Sequence, residues 1–375
     1  MKKKLIFFSL LHFVSIYSWH CDLIELKQII AIDEDLSYQK CSDKIDFEYK
    51  KLPFDRDHTL HPHKGSFLES YIVTIPQGQV YGLDGYVLYN DLLIQDFVWQ
   101  NCFIPKYLFD EVLHKIKIEF SGTLAVLAQS GYDYYYHWLV EILGRLALLE
   151  INNIEYDFLY VPYVKPYMKQ TLKLWGIPES KIIEASNDFI FKAEKLIVPS
   201  LIAKTETYGI PRLAHYMPKD ILNYIKNKLL DGYKKELEKS SNRFNFCKKV
   251  FISRKDASAR KMLNENEIYK VFEQYGFQEY TLSQMSIVEQ IALFENAEII
   301  IGSLGSGMTN VLFCNSKVKI FDIFQHRCDC TIYYMCQTLG LEYHPIKTVN
   351  FVDDHDGQYD AIVPLEALAK IIQYL

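Results

Sequence analysis

The chain of 375 residues carries 41 basic and 47 acidic residues, and 49% of it is hydrophobic. This length and apolar content suffice for roughly two domains, which excludes the disordered and fibrous classes. The net charge is −6 and no Lys/Arg cluster occurs beyond the first residues. Because binding to a nucleic acid needs clustered basic side chains to neutralise a run of phosphates, a nucleic-acid partner is not expected.

The first segment has the layout of a signal peptide. Three lysines at positions 2–4 precede an apolar run over residues 5–19, which is too short to span a membrane comfortably. Residues 1–21 are therefore predicted to be a signal-like or anchor leader, and the protein is expected in the secretory pathway or attached to a membrane. An uncleaved anchor, a buried first helix and a position on the cytoplasmic face are the alternatives.

Short and irregular patterns follow the leader. Residues 30–70 are polar and are predicted to be loop, and the histidines at 58, 61 and 63 have no acidic or cysteine partner that would complete a metal site. From Gln79 to Phe97, short alternating stretches are separated by glycines and an Asn-Asp pair. This pattern predicts a small antiparallel β meander.

Strands and helices then alternate up to residue 230. The pattern predicts, in chain order, strand Thr123–Ala128, helix Tyr134–Glu150, strand Phe158–Val161, helix Lys165–Trp175, strand Lys195–Pro199 and helix Pro218–Leu230. Such alternation builds a parallel sheet. The next segment, residues 231–247, is charged and poor in aliphatic side chains, so it is predicted to be a linker.

The same alternation returns after residue 247 and predicts a second Rossmann-like unit. The predicted elements are strand Lys249–Ser253, helix Asn264–Tyr275, strand Phe277–Leu282, helix Ser286–Asn296, strand Glu298–Ile301, a helix from Met308 and strand Val318–Ile323.

The predicted helix after Gly131 carries a polar stripe. His137, Glu141 and Arg145 recur every four residues, so they lie on one face of the helix, while leucines and isoleucine take the other. A histidine suits the role of general base near neutral pH, above all when a carboxylate orients it. His137 and Glu141 are therefore candidate catalytic residues. The alternative is an exposed helical face with ion pairs four residues apart.

A glycine-rich loop follows the apolar strand that ends at Ile301. It reads Gly-Ser-Leu-Gly-Ser-Gly and opens a helix. Bare amides at a helix N-terminus stabilise a phosphate that approaches closely. The loop is neither a Walker loop nor a G-x-G-x-x-G fingerprint, and a tight turn without a ligand is the alternative. The candidate binding residues are Gly302, Gly305, Ser306, Gly307, Thr309 and Asn310.

Two further candidates stand outside that loop. Arg254 directly follows a predicted strand, where the carboxyl end of a parallel strand faces a binding crevice, and a guanidinium there suits a diphosphate. Glu289 completes the pattern Ser286-Ile287-Val288-Glu289, which predicts a capping box with Ser286. From spacing alone, the cap is favoured over a ligand contact for Glu289.

Eight cysteines are too few and too uneven for a disulfide framework. His326, Cys328, Cys330 and Cys336 form a cluster, but zinc sites favour two-residue gaps and a second cysteine pair. Free thiols are predicted.

Several motifs together resemble glycosyltransferase family 61 in their order and spacing. They are Tyr136-His137-Trp138-Leu139-Val140-Glu141, Ile252-Ser253-Arg254, Met285-Ser286-Ile287-Val288-Glu289-Gln290, Leu293-Phe294, and Gly302 to Asn310 followed by Phe313. The likeness covers residues 70–350, and the order across both halves is specific although each motif alone is weak.

The resemblance implies an α/β fold of GT-B type with two Rossmann-like domains. It implies an N-terminal acceptor-side domain over residues 22–230 and a C-terminal nucleotide-sugar-binding domain over residues 248–375. The implied reaction is the inverting transfer of a hexosyl, pentosyl or N-acetylhexosaminyl unit from a nucleotide-sugar donor, UDP-linked by expectation, to a hydroxyl of a glycan or glycoprotein.

The resemblance also suggests roles for the candidates. His137, helped by Glu141, would take the acceptor proton, and Arg254 with the turn from Gly305 to Asn310 would meet the leaving diphosphate. Glu289 matches a motif position that contacts the ribose. Folds of this type commonly neutralise the leaving group without a metal, so neither a metal nor another cofactor is expected.

The chain departs from the family at one position. The family usually has His-Gly-Ala/Ser-Gly in the glycine loop, and Leu304 stands in place of that histidine. A catalytically degenerate relative that binds a nucleotide or glycan is therefore an alternative. A nicotinamide-dependent oxidoreductase, with Asp322 about 20 positions after the loop, is a third; the late position of the loop in the chain argues against it.

Overall fold

The computed structural model describes residues 23–53, 62–99, 112, 114–207, 210–213, 216–240, 244–324, 329–347, 360 and 362–375. The predicted leader lies outside these ranges, as do His58, His61, His326 and Cys328. The described chain is a mixed α/β structure with three β-sheets. Every helix in the described ranges is too short or too polar to span a bilayer.

The strands are numbered in chain order. They are β1 (Leu23–Ile24), β2 (Ser37–Ser42), β3 (Ile45–Glu48), β4 (Lys64–Phe67), β5 (Ser70–Pro76), β6 (Gln79–Tyr81), β7 (Tyr86–Tyr89), β8 (Leu92–Ile94), β9 (Ile116–Val126), β10 (Phe158–Val161), β11 (Ile182–Glu184), β12 (Phe189–Pro199), β13 (Lys204–Thr207), β14 (Ile210–Leu213), β15 (Lys249–Ile252), β16 (Gln278–Tyr280), β17 (Ile299–Ser303), β18 (Lys319–Phe324) and β19 (Glu342–Lys347).

The helices are α1 (Leu26–Ile30), α2 (Leu143–Ile151), α3 (Pro166–Trp175), α4 (Lys219–Lys239), α5 (Glu265–Glu273), α6 (Ile287–Asn296), α7 (Thr331–Leu339) and α8 (Ala369–Ile372). Short 3-10 helices cover Gln95–Phe97, Glu179–Lys181, Leu282–Gln284, Ser306–Phe313 and Leu365–Leu368, and a π-helical turn covers His137–Ile142.

The N-terminal half is built around a ten-stranded mixed sheet. Its long strand β12 is parallel to β9 on one side and antiparallel to β5 and β6 on the other. The three strands that the strand-helix alternation predicted, β9, β10 and β12, are parallel in the order β12-β9-β10, and the short strand β11, which was not predicted, pairs parallel with β10. Strands β6, β7 and β8 pair antiparallel in chain order and continue the same sheet, and Asn90 and Asp91 adopt positive φ between the last two of them.

The C-terminal half contains a five-stranded parallel sheet in the order β16-β15-β17-β18-β19. The first of these five strands in chain order, β15, therefore lies between the second, β16, and the third, β17. Connections leave the sheet in opposite directions on the two sides of the β15/β17 pair, which makes the carboxyl ends of these two strands a topological switch point.

A continuous apolar core joins the two halves. It contains helix residues of the N-terminal half, such as Leu146 and Leu229, together with Ile291 and Met308 of the C-terminal half, all of them almost fully buried. Because the buried face of α4 belongs to this core, the two sheets are packed against a shared helical layer.

The prediction of loop over residues 30–70 is wrong, because strands β2, β3 and β4 lie there. Strand β2 pairs with β5, and β3 and β4 belong to a four-stranded antiparallel sheet with β13 and β14. The side chains of β2 and β3 are mostly exposed, so their sequence shows little alternation. These strands are held by backbone pairing with distant residues, which local periodicity does not reveal.

The predicted linker over residues 231–247 begins inside α4, which is helical to Lys239. The buried positions of this helix recur every three or four residues up to Tyr233, and the later lysines and glutamates form its solvated face. The first nine residues of the predicted linker, 231–239, are therefore the exposed end of a helix, which explains their low aliphatic content.

Arg145 joins the carboxyl ends of β9 and β12 from inside the core. Its side chain is 1% exposed. Nη1 donates to the carbonyl oxygens of Ala128 (2.8 Å) and Leu127 (3.1 Å), and Nη2 donates to the carbonyl of Pro199 (2.8 Å). Burial lowers the pKa of the guanidinium, and the carbonyl oxygens offset that unfavourable desolvation. The alternative of an exposed helical face with ion pairs four residues apart is thus wrong for Arg145.

We expect Arg145→Met to lower the free energy of unfolding by about 2–4 kcal/mol, because three buried carbonyl oxygens lose a charged donor. Urea denaturation of the full chain measures this loss. Lys239→Met is the matched control, since it removes a positive charge from an exposed helix end. Equal stability of the two variants would contradict a structural role for the buried guanidinium.

Candidate active site

The glycine loop and Arg254 meet at the switch point of the C-terminal sheet. Arg254 lies two residues after β15, and the loop follows from the end of β17. A Cβ atom at Gly305 would lie 1.7 Å from Nη1 of Arg254, so the guanidinium rests directly on this glycine. The two predicted donor-binding elements are therefore brought together.

The three glycines of the loop, Gly302, Gly305 and Gly307, leave room for neighbouring side chains. None of the three has a positive φ, and Gly305 is extended with φ 178°. A Cβ at Gly302 would lie 2.6 Å from Sδ of Met308, and one at Gly307 would lie 2.8 Å from Cδ1 of Leu282. Neighbouring side chains thus fill the places where larger residues would project.

A buried carboxylate fixes the backbone from which Arg254 projects. Glu265 is 3% exposed and accepts hydrogen bonds from the Ser253 hydroxyl (2.5 Å) and from the Arg254 backbone N–H (3.0 Å). The guanidinium donates to the carbonyl of Ala259 (2.9 Å) and is half-buried, and this burial, more than the nearby Arg260, lowers its pKa. Its positive charge is thus only partly solvated.

The residues after the loop divide into two groups. Ser306 and Gly307 are partly exposed at the start of the 3-10 helix. Thr309 and Asn310 are fully buried, and the Thr309 hydroxyl donates to the Ser306 carbonyl (2.6 Å). The side chains of Thr309 and Asn310 therefore shape the turn from within, whereas Ser306 and Gly307 border solvent. Leu304 is also buried.

Glu289 forms the predicted capping box. Its Oε2 accepts from the Ser286 backbone N–H (2.8 Å) and from the Ser286 hydroxyl (2.7 Å), and the Glu289 N–H donates back to Ser286 Oγ. The capping role that the spacing predicted is confirmed.

His137 and Glu141 form a dyad on the π-helical turn. Nδ1 of His137 lies 2.9 Å from Oε1 of Glu141, and the histidine side chain is 17% exposed while the carboxylate is 2% exposed. The wide turn is marked by the Leu143 N–H, which donates to the carbonyl of Trp138 five residues before it. Such π-helical turns often occur at functional sites. The sequence predicted a regular helix here.

Two N–H donors hold the other oxygen of the carboxylate. Gln129 Nε2 donates to Oε2 of Glu141 (2.7 Å), and Trp99 Nε1 donates to the same oxygen (2.9 Å). The Trp99 ring also meets the His137 ring edge to face, with centroids 5.1 Å apart. Sequence reasoning missed both donors, because Trp99 belongs to a segment far from the helix and no spacing rule links Gln129, in the turn before the helix, to Glu141.

The two halves of the site are joined by side-chain hydrogen bonds. Tyr135, two residues before His137, donates from its hydroxyl to Oδ1 of Asn310 (2.7 Å). Asn310 Nδ2 in turn donates to Oε1 of Gln290 (2.7 Å), whose amide nitrogen donates to the Leu282 carbonyl (3.0 Å). This series of hydrogen bonds runs from the dyad segment to Leu282, which packs on Gly307. The predicted catalytic and binding segments are therefore neighbours.

Asp322 lies inside β18, directly beside Gly302 of the glycine loop strand. It is fully buried, and Oδ2 accepts from the Tyr343 hydroxyl (2.5 Å). Burial raises the pKa of this carboxyl to about 7. An acid enclosed within a strand does not match the strand-end position that a nicotinamide ribose requires, which argues against the oxidoreductase alternative.

No group of three His, Cys, Asp or Glu side chains within the described ranges is placed to hold a metal ion. Cys330 and Cys336 are free thiols, as predicted. Asp-x-Asp triplets occur in the sequence at residues 33–35, 55–57 and 354–356. In the first of them, Asp33 accepts a hydrogen bond from the Tyr89 hydroxyl (2.8 Å). Metal independence stays a prediction.

Comparison with known families agrees with this geometry. The model of the family described as Glycosyltransferase 61 matches residues 135–321, which are 187 of the 375 residues. The matched range contains every candidate site residue. Comparison with curated proteins found no match. The chain is a glycosyltransferase. It belongs to glycosyltransferase family 61, as its motifs indicated.

We expect Tyr135→Phe to lower the free energy of unfolding by about 1–2 kcal/mol, because Asn310 loses the donor of its buried Oδ1. Burial raises the pKa of Tyr135, so the hydroxyl carries its proton at neutral pH. Urea denaturation measures the loss, with Tyr275→Phe, an exposed tyrosine, as the control. No difference between the two variants would remove the inter-half hydrogen bond as a source of stability.

Proposed function

We propose that the protein is an inverting glycosyltransferase that moves a sugar from a nucleotide-sugar donor, UDP-linked by expectation, to a hydroxyl of a glycan or glycoprotein acceptor. The observation that carries this proposal is the placement of Arg254 against Gly305 at the carboxyl ends of β15 and β17. Ligands of open α/β sheets bind at such switch points.

The diphosphate of the donor would lie on the glycine loop. The guanidinium of Arg254 supplies positive charge, and the amides at the start of the 3-10 helix, at Ser306 and Gly307, supply N–H donors. Both groups would stabilise the negative charge that develops as the nucleoside diphosphate leaves. Gly305 leaves room for the Arg254 guanidinium on the loop and Gly302 leaves room for Met308, while Thr309 and Asn310 support the turn from its buried side.

His137 is the proposed general base. It is partly exposed and its Nδ1 is engaged by Glu141, which supports Nε2 as the atom that takes the proton. In a single displacement, Nε2 takes the proton of the acceptor hydroxyl, the hydroxyl oxygen forms the bond to the anomeric carbon, and the bond to the diphosphate breaks on the opposite face. Glu141 stabilises the imidazolium that results.

The wider assignment follows from the same proposal. The ten-stranded sheet would form the acceptor-side domain and the five-stranded sheet the donor-side domain of a GT-B architecture, with the boundaries near residues 230 and 248. Glu289 would contact the ribose with Oε1, since Oε2 serves the cap. A secretory or membrane-attached location remains a prediction from residues 1–21.

Nucleotide binding tests the donor site. In a panel of UDP, GDP, ADP, CMP and NAD, we expect one of the three nucleoside diphosphates to stabilise the full chain by about 2.7 kcal/mol at one hundred times its Kd, equally with and without divalent metal. Arg254→Ala should weaken the transition-state interaction by about 2–4 kcal/mol. Lys255→Ala is the matched control, because Lys255 carries the same charge but is paired with Glu279 (2.6 Å). Stabilisation by NAD alone, or by none of the ligands, would contradict the proposed donor site.

Turnover tests the base. We expect His137→Ala to lower kcat by about two to four orders of magnitude while nucleotide binding is retained. His114→Ala, at an exposed histidine, is the control. Steady-state kinetics with the donor found above measure both. Full activity of His137→Ala would show that another group is the base, and binding without turnover in the wild-type chain would favour the degenerate relative suggested by Leu304.

A further inference from the structure

The Glu141 carboxylate has two chemically different sides. Oε1 faces the imidazole of His137, and Oε2 receives the N–H groups of Gln129 and Trp99. An indole nitrogen cannot accept a hydrogen bond, and neither can an amide nitrogen. Oε2 therefore carries no proton, and any proton of the dyad lies on the His137 side.

Two arrangements of that proton remain. Either Glu141 is ionised and accepts from Nδ1–H of His137, or Oε1 carries the proton and donates it to Nδ1. The second arrangement would leave the imidazole proton on Nε2, where it blocks proton abstraction. With a side chain 2% exposed, the ionised form needs hydrogen-bond donors in place of water, and the donors on Oε2 supply them.

From this arrangement we infer that Gln129 is a positioning residue, which keeps Glu141 ionised and His137 in the tautomer with its proton on Nδ1. The inference rests on the proposed base role of His137 and extends it to a residue that the motifs do not include. Gln129 is 2% exposed, and its amide nitrogen lies 2.7 Å from Oε2.

The position of Gln129 is fixed by the residues before it. The carbonyls of Leu127 and Ala128 are held by Arg145, so the chain enters Gln129 from an anchored strand end. Gly131 follows two residues later with φ +82°, and a Cβ there would lie 3.2 Å from Cδ2 of His137. The turn thus delivers the amide to the carboxylate and leaves room for the imidazole.

Nitrogen-15 NMR of the full chain, with histidine labelled, reports the tautomer of His137 directly and needs no substrate. We expect the neutral wild-type imidazole to be protonated mainly at Nδ1. Gln129→Met should increase the Nε2-protonated fraction and lower kcat by about tenfold to a hundredfold, with the KM for the donor unchanged. Trp99→Phe, which removes the other donor from a different segment, should act in the same direction.

Gln79→Met is the matched control, because Gln79 is a buried glutamine (6% exposed) in the antiparallel part of the sheet. The inference is overturned if His137 is protonated at Nε2 in the wild type, or if Gln129→Met changes the tautomer no more than Gln79→Met does. A changed tautomer with unchanged kcat would support the positioning role and would instead refute His137 as the base. Because the NMR measurement needs no turnover, a failure of the positioning role of Gln129 can be distinguished from a failure of His137 as the base.

Discussion

The arrangement of the N-terminal half depends on one buried positive charge that is balanced by carbonyl oxygens. Arg145 draws the ends of β9 and β12 together, and the carbonyls that it binds lie directly before Gln129. A lysine could not bridge two strands in this way, because it lacks the planar fork of five N–H donors. Gln129, which donates to Glu141 of the dyad, therefore follows a strand end whose position is set from inside the core.

The second constraint is the contact between the halves. A shared apolar core and the bond from Tyr135 to Asn310 fix the distance between the dyad segment and the glycine loop. Separating the halves would expose that core to water, which is unfavourable in proportion to the area exposed. The relative placement of the proposed base and the proposed donor site is thus a property of the packed structure, and it does not depend on a single flexible connection.

The sequence predicted best where strands are buried on both faces. Strand β10 was predicted to the residue, and the elements from β15 to β18 within a few residues, because apolar runs bounded by turn residues are distinctive. Exposed strands were missed, and so was the π-helical turn, whose form depends on tertiary contacts. The glycine loop follows the predicted strand as expected, but which of its side chains face inward was not predicted, since spacing alone does not distinguish the buried Asn310 from the partly exposed Ser306.

The glycine loop has a consequence for protein engineering. Since crowding by Arg254, Met308 and Leu282 excludes a side chain from the loop, the backbone itself would accept alanine. The destabilisation caused by Gly307→Ala should therefore be relieved by a second substitution that shortens Leu282. Likewise, the effect of Gly302→Ala should be relieved by one that shortens Met308. Gly305 has no such suppressor available, because the side chain that would have to shrink is the guanidinium proposed to hold the donor.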